Sequence, residues 1–255
     1  MAEQKRTQYK DMNYRPFLFF AVFGVSGEKL DISAEKHHAD GFPAKLQMRT
    51  LNRADHAKYM DGFFAGSLGE VIKNQKPELF EQCRKAKTCV VISGQVEADQ
   101  TFDYMRNVIG IIQALTEQGA CGVLDLLTFS LYSPQEWNTR FFEKEINALN
   151  HVVILFSEEE DGYWLHTRGM AEFGRPDLSM HGVAAERVPE RKEILDQMIY
   201  YSGEGVFFDG SFTLYTRNGE AHEVLSKFVN NFENDDFNNA WCDVTVIEQH
   251  REPAL

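Results

Sequence analysis

The sequence predicts an α+β fold, a mixed β-sheet with helices packed on it as an α/β sandwich, containing at least one β-α-β unit. Three features carry this expectation. Apolar runs of strand length recur along the chain, an amphipathic helix lies between two of them, and Gly-, Pro- and Asp-Gly-based turns separate the segments. The expected organisation is a loosely ordered N-terminus over residues 1–15, then a single α+β domain over 16–255 in which a short echo suggests two similar halves.

Taken in order, residues 17–23 (FLFFAVF) are aromatic and aliphatic, end at Gly24 and read as a buried strand. Residues 28–52 carry turn marks at His37-His38 and Gly41-Phe-Pro43 and define no element. Residues 53–74 read as a helix broken near Gly62 or Gly66, and a second helix follows Pro77. Residues 88–93 (TCVVIS) form a strand closed by Gly94. Phe102, Met105, Ile109, Ile112 and Leu115 then recur at spacings of three and four, the mark of an amphipathic helix, which Gly119 stops. Residues 121–126 (CGVLDL) make the next strand. A crossover helix between two strands predicts parallel neighbours joined right-handedly.

Ser133-Pro-Gln-Glu136 supplies the N-cap, the N1 proline and the N3 glutamate of a helix start, with Trp137, Phe141 and Phe142 directed inward. Residues 152–156 and 163–167 read as a hairpin across the acidic turn 158–162. Residues 187–201 read as helix, 205–208 and 211–217 as strands paired across Asp209-Gly210, 221–230 as a short helix, and 241–248 as a closing strand. The echo is Trp164-Leu-His-Thr-Arg-Gly169 against Thr213-Leu-Tyr-Thr-Arg-Asn218-Gly219.

Composition narrows the class. With 43% apolar residues in 255, and 20 of them Phe, the chain can bury a sizeable core. Its longest apolar runs, 16–25 and 108–115, are too short to span a bilayer, and the N-terminal residues lack the apolar centre of a signal peptide. Cys83, Cys89, Cys121 and Cys242 form no CxxC pair and read as reduced, buried thiols, so a cytoplasmic protein is expected. The net charge of −13 is uneven: residues 1–100 hold 15 Lys+Arg against 13 Asp+Glu, and residues 101–255 hold 11 against 26. Such a field repels phosphate backbones and attracts a basic protein partner, although acidity also serves solubility alone.

The densest chemistry lies in His166-Thr-Arg-Gly-Met-Ala-Glu-Phe-Gly-Arg-Pro-Asp177, where His166, Arg168, Glu172, Arg175 and Asp177 surround two glycines and a proline. In a strand over 163–167, Trp164 and His166 share one face. Thr167 is placed to cap a short turn from Arg168 that Gly174 ends in the left-handed conformation. Its N-terminal amides with Arg168 suit a carboxylate or phosphate, Arg175 is aimed by its neighbours Gly174 and Pro176, and Glu172 and Asp177 orient the arginines or act as acid and base. The same residues also suit a purely structural ion-pair network with Arg175 pinning the turn through Asp177, and that alternative stays open.

Other chemistry is weaker. His37-His38 with Asp40 lacks the spacing of a metal site, and Asp235-Asp236 lacks the ordered oxygens of an EF-hand loop, so no metal and no cofactor are expected. No GxGxxG, Walker A, GxSxG or HExxH pattern occurs, and Ser130 and Ser179 have no visible base.

The pattern HTRGMAEFGRPDLS resembles the signature of an uncharacterised bacterial family with an HT-x-G-M-x-x-FGRPD-like core. The resemblance covers about residues 150–182, and the segments 122–126 and 133–137 are compatible with it. It implies a bacterial cytosolic protein of a kind that in some families accompanies toxin systems as an immunity protein; it implies no activity. The expected function is therefore a non-enzymatic cytosolic binding protein, an immunity or inhibitor protein engaging a basic partner through an acidic surface. The alternative is an enzyme or small-anion sensor built on His166, Arg168, Glu172, Arg175 and Asp177.

Overall fold

The computed structural model describes residues 4–26, 31–97, 100–231, 234 and 237–247. It has the α+β fold read from the sequence, and the chain divides into two compact units, residues 1–6 with 15–146 and residues 7–14 with 147–255. No helix among the described residues is long and apolar enough to cross a membrane.

The first unit contains β1 (Phe17–Phe23), α1 (Ala34–His37), β2 (Gln47–Asn52), α2 (Arg53–Gly62), α3 (Gly66–Gln75), α4 (Pro77–Arg84), β3 (Thr88–Gln95), α5 (Asp103–Glu117), β4 (Gly122–Asp125), β5 (Ser130–Tyr132) and α6 (Pro134–Trp137). Its five strands run in the order β2-β3-β1-β4-β5. Alternation along β1 sorts the core. Ala21 and Phe23 join Met60, Ile72, Phe80 and Cys83 of α2, α3 and α4 and Phe64 of the α2–α3 link, while Phe20 packs edge-on against Trp137 of α6. Trp137 donates its indole N–H to the Ile109 carbonyl of α5 at 3.3 Å, so α5 and α6 cover the second face. Ser133 and Glu136 make the expected capping box, and a π-helical turn Asn138–Phe142 follows, with Phe141 buried and Phe142 half-buried.

The β3–α5–β4 segment corrects one expectation. β3 and β4 are each antiparallel to β1, which makes them parallel to each other but separated by it. The crossover is a split β-α-β, because the earliest and most apolar strand takes the central place that adjacency would have denied it. α1 and β2 fill the stretch that the sequence left undefined. Gly110 is where α1 meets α5: a Cβ there would lie 1.9 Å from the His37 carbonyl oxygen.

The second unit contains α7 (Ala148–His151), β6 (Val153–Glu159), β7 (Gly162–Arg168), β8 (Asp177–Val183), α8 (Val188–Gly203), β9 (Gly210–Tyr215), β10 (Ala221–Val229) and β11 (Trp241–Ile247). Its six strands run β6-β7-β8-β11-β10-β9, antiparallel except for the parallel pair β8–β11. Ile194, Leu195, Met198 and Ile199 of α8 are buried, and the helix packs on β8 and β9. Residues 7–14, expected to be loose, belong to this unit: the Gln8 N–H donates to the Glu204 carbonyl at 3.0 Å and the Lys10 N–H to that of Gly205 at 3.3 Å.

Two further expectations change here. Residues 205–208 form no strand, and β9 pairs instead with β10, a strand where the sequence predicts a short helix. Along β10 His222, Val224 and Ser226 are buried while Glu223, Leu225 and Lys227 are exposed, a two-residue period that outweighs helix propensity. The echoed segments also differ in setting, since β7 lies inside the sheet and β9 at its edge.

Candidate functional site

The motif from His166 to Asp177 runs from the end of β7 through a single 3-10 turn, Met170–Phe173, into β8. Gly169 precedes the turn at φ 111° and Gly174 ends it in the left-handed conformation, as the sequence suggests. Thr167 does not cap it. Asp177 does: its Oδ1 accepts from the Met170 N–H at 3.3 Å and from the Thr167 hydroxyl at 2.9 Å. Thr167 Oγ1 in turn accepts from the Leu178 N–H at 2.8 Å, and Asn239 donates through Nδ2 to Asp177 Oδ2 and to the Arg175 carbonyl, both at 2.9 Å. Burial dominates the ionisation of Asp177 and pushes its pKa up to about 6, against the lowering effect of Asn239, Thr167, the Met170 amide and nearby Arg168.

Arg175 makes no bond to Asp177 and instead ties backbone together. It is 1% exposed, and its guanidinium donates to the carbonyls of Val206 (3.1 Å), Gly174 (2.7 Å), Lys10 (2.9 Å) and Gly205 (2.6 Å), over the Tyr9 ring. Glu172 is fully buried and accepts from His151 Nδ1 at 3.0 Å. His166 is buried and stacks on Trp164 at 3.9 Å between ring centroids, on the shared face expected; Arg168 is half-buried. The five residues thus lie in one neighbourhood of the second unit, joined to residues far away in sequence. None of them lines any of five cavities found among the described residues.

A cavity of about 370 Å³ does open nearby, where β8 and β11 part after only three paired residues. This is the carboxyl end of the parallel pair, the place where ligands commonly bind in sheets with parallel strands. Ser179, His181, Arg187, Arg191 and Asp243 are among its lining residues. Ser179 and His181 alternate on one face of β8, and the Trp164 indole N–H donates to Ser179 Oγ at 2.9 Å. His181 Nε2 lies 3.2 Å from the same Oγ, and its Nδ1 lies 2.7 Å from Glu159 Oε1. The His181 contact and the Gly182 amide hold the Glu159 carboxyl below the usual carboxylate range. Arg187 and Arg191 both donate to Glu190 Oε1, and Asp243 accepts from the Trp241 indole at 2.8 Å.

Comparison with known proteins finds no match. No family model, no curated protein and no solved structure matches the chain.

Among the described residues, Glu190, Glu220 and His222 bring ligand atoms within 4.8 Å of one another, close enough for a metal ion. The two guanidiniums already on Glu190 oppose a cation there. His37 and His38 diverge: His37 Nδ1 accepts from the Ser33 N–H, while His38 stacks on Phe142. Asp235 and Asp236 lie outside the described residues.

Sequence reasoning missed the partners His151 and Asn239, which no local pattern marks. Ser179, for which the sequence shows no base, has His181 beside it, and the Ser-x-His spacing on a strand is the signal that marks the pair.

Proposed function

We propose that this protein is a bacterial cytoplasmic binding protein of the immunity or inhibitor kind, which engages a basic protein partner through the acidic surface of its second unit. The observation that carries this is where the charge falls. The second unit holds 9 Lys+Arg against 21 Asp+Glu, a net −12 of the chain's −13. Part of that charge is concentrated at the exposed tip of the β6–β7 hairpin, in Glu158, Glu160 and Asp161, beside Phe156, which is 47% exposed on edge strand β6. Such an edge combines Coulomb attraction with an apolar contact, as protein interfaces do, and the same field disfavours nucleic acid. An enzyme or sensor built on His166, Arg168, Glu172, Arg175 and Asp177 is the weaker reading, because Arg175 and Asp177 bond to backbone and to residues that hold the fold, and Glu172 accepts from His151.

Affinity capture from the source cells identifies the partner, and stopped-flow mixing then measures association at 50 and 500 mM salt. The reading predicts a basic partner, an association rate falling at least about tenfold with salt, and a similar fall when Glu158, Glu160 and Asp161 are changed to Lys. An association rate insensitive to both salt and charge reversal would contradict it.

A further inference from the structure

The geometry points to a second capability: Ser179 is a nucleophile activated by His181 and positioned Glu159, in a cavity suited to a small carboxylic ester that bears a negative charge. This goes beyond partner binding and stands independently of it.

The proton positions follow from the partners. A carboxylate only accepts, so His181 Nδ1 carries the proton that faces Glu159 at 2.7 Å. An indole N–H only donates, so Ser179 Oγ is the acceptor for Trp164 at 2.9 Å. In the neutral imidazole, Nε2 therefore presents its lone pair to the Ser179 hydroxyl, 3.2 Å away. Nucleophile, base and orienting acid stand in sequence within the reach that such activation requires. Trp164 also stacks flat on the His181 ring, 5.1 Å between centroids and 6° between planes, which fixes its orientation. Ser179 is only 1% exposed, so an electrophile must reach it through the cavity that it lines. The volume of about 370 Å³ falls within the range of small-molecule sites, and Arg187 and Arg191 on its wall, two guanidiniums that share the single carboxylate of Glu190, supply the anchor for an anionic group.

The reaction balances without an external reagent other than water. Ser179 Oγ attacks the ester carbonyl as its proton passes to His181 Nε2, and the leaving alkoxide takes that proton and departs as an alcohol. Water, deprotonated by the same Nε2, then cleaves the acyl-serine to a carboxylic acid and free Ser179.

The test treats the full chain with a fluorophosphonate probe, maps the adduct by mass spectrometry, and follows hydrolysis of mono-p-nitrophenyl succinate against p-nitrophenyl acetate. The expected results are an adduct on Ser179, faster turnover of the succinate monoester, and a loss of that preference in Arg187→Gln. His181→Asn should slow labelling by at least about 100-fold, the scale of a general base. Glu159→Gln should lower kcat with KM unchanged, and Glu159→Asp should restore part of it. A wild-type chain that gives no Ser179 adduct overturns the proposal, as does a His181→Asn chain with an unchanged melting curve that labels at the wild-type rate. Equal turnover of the two esters overturns the anionic-substrate assignment.

Discussion

Replacing Asp177 by Asn changes the pH dependence of stability in a direction that is unusual for a carboxylate. Burial raises its folded pKa from 3.8 to about 6, so between those values the folded state binds more protons than the unfolded one. Stability contributed by this group is then fully present below pH 3.8 and lost as pH rises through 6. A difference of about 2 pKa units corresponds to about 3 kcal/mol at 1.36 kcal/mol per unit. Exposed carboxylates such as Glu159, held below their usual range, act in the opposite sense, so the informative quantity is the difference between wild type and Asp177→Asn. Urea denaturation from pH 3.5 to 7.5 should show the stability of the wild type relative to Asp177→Asn falling by about 3 kcal/mol as pH rises. Asn also turns an amide N–H₂ toward groups that already donate, which costs about 1–3 kcal/mol and sets the offset between the two curves. A difference independent of pH, or one that grows with pH, would refute the assignment of Asp177 as a carboxyl whose charge is penalised by burial.

Two further perturbations follow from the packing. Thr167→Val removes both the hydroxyl that donates to Asp177 and the oxygen that accepts from the Leu178 amide; chemical denaturation should show a loss of about 1–3 kcal/mol. Gly110→Ala sets a methyl group 1.9 Å from the His37 carbonyl oxygen, so α1 must move away from α5; a loss of at least about 1–3 kcal/mol is expected, and an unchanged midpoint would contradict the close approach.

Local patterns made much of the fold legible. The apolar run of β1, the three-and-four spacing of α5 and the Ser133 capping box each specify their element through contacts a few residues apart, and each stands where expected. What escaped depends on distant partners. Strand order in the first unit turns on β1 entering between β3 and β4, a choice that β3, α5 and β4 cannot express by themselves. β10 resembles a helix until its alternation is matched to the sheet that buries Val224 and Ser226. The candidate site divides the same way. His166 to Asp177 stood out by its density of charge, and that density serves the fold: Arg175 answers Lys10 and Gly205, and Asp177 answers Asn239, residues that the motif does not contain. The Ser179–His181 spacing was visible, but only the β6–β7 hairpin brings Glu159 to the imidazole.

Glu172, Arg175 and Asp177 tie the second unit together through bonds to residues distant in sequence. The Arg175 guanidinium serves four backbone carbonyls, and no side-chain carboxylate accepts from it among the bonds described above. Hydrogen bonds from a charged donor contribute about 1.5–3 kcal/mol each and do not add fully, so Arg175→Ala should lose about 3–5 kcal/mol in chemical denaturation. Arg175→Lys should recover only part of this, since a single ammonium cannot reproduce the planar fork. A denaturation midpoint unchanged in Arg175→Ala, alongside lost partner binding or lost esterase activity, would contradict the account and make the motif itself the functional site.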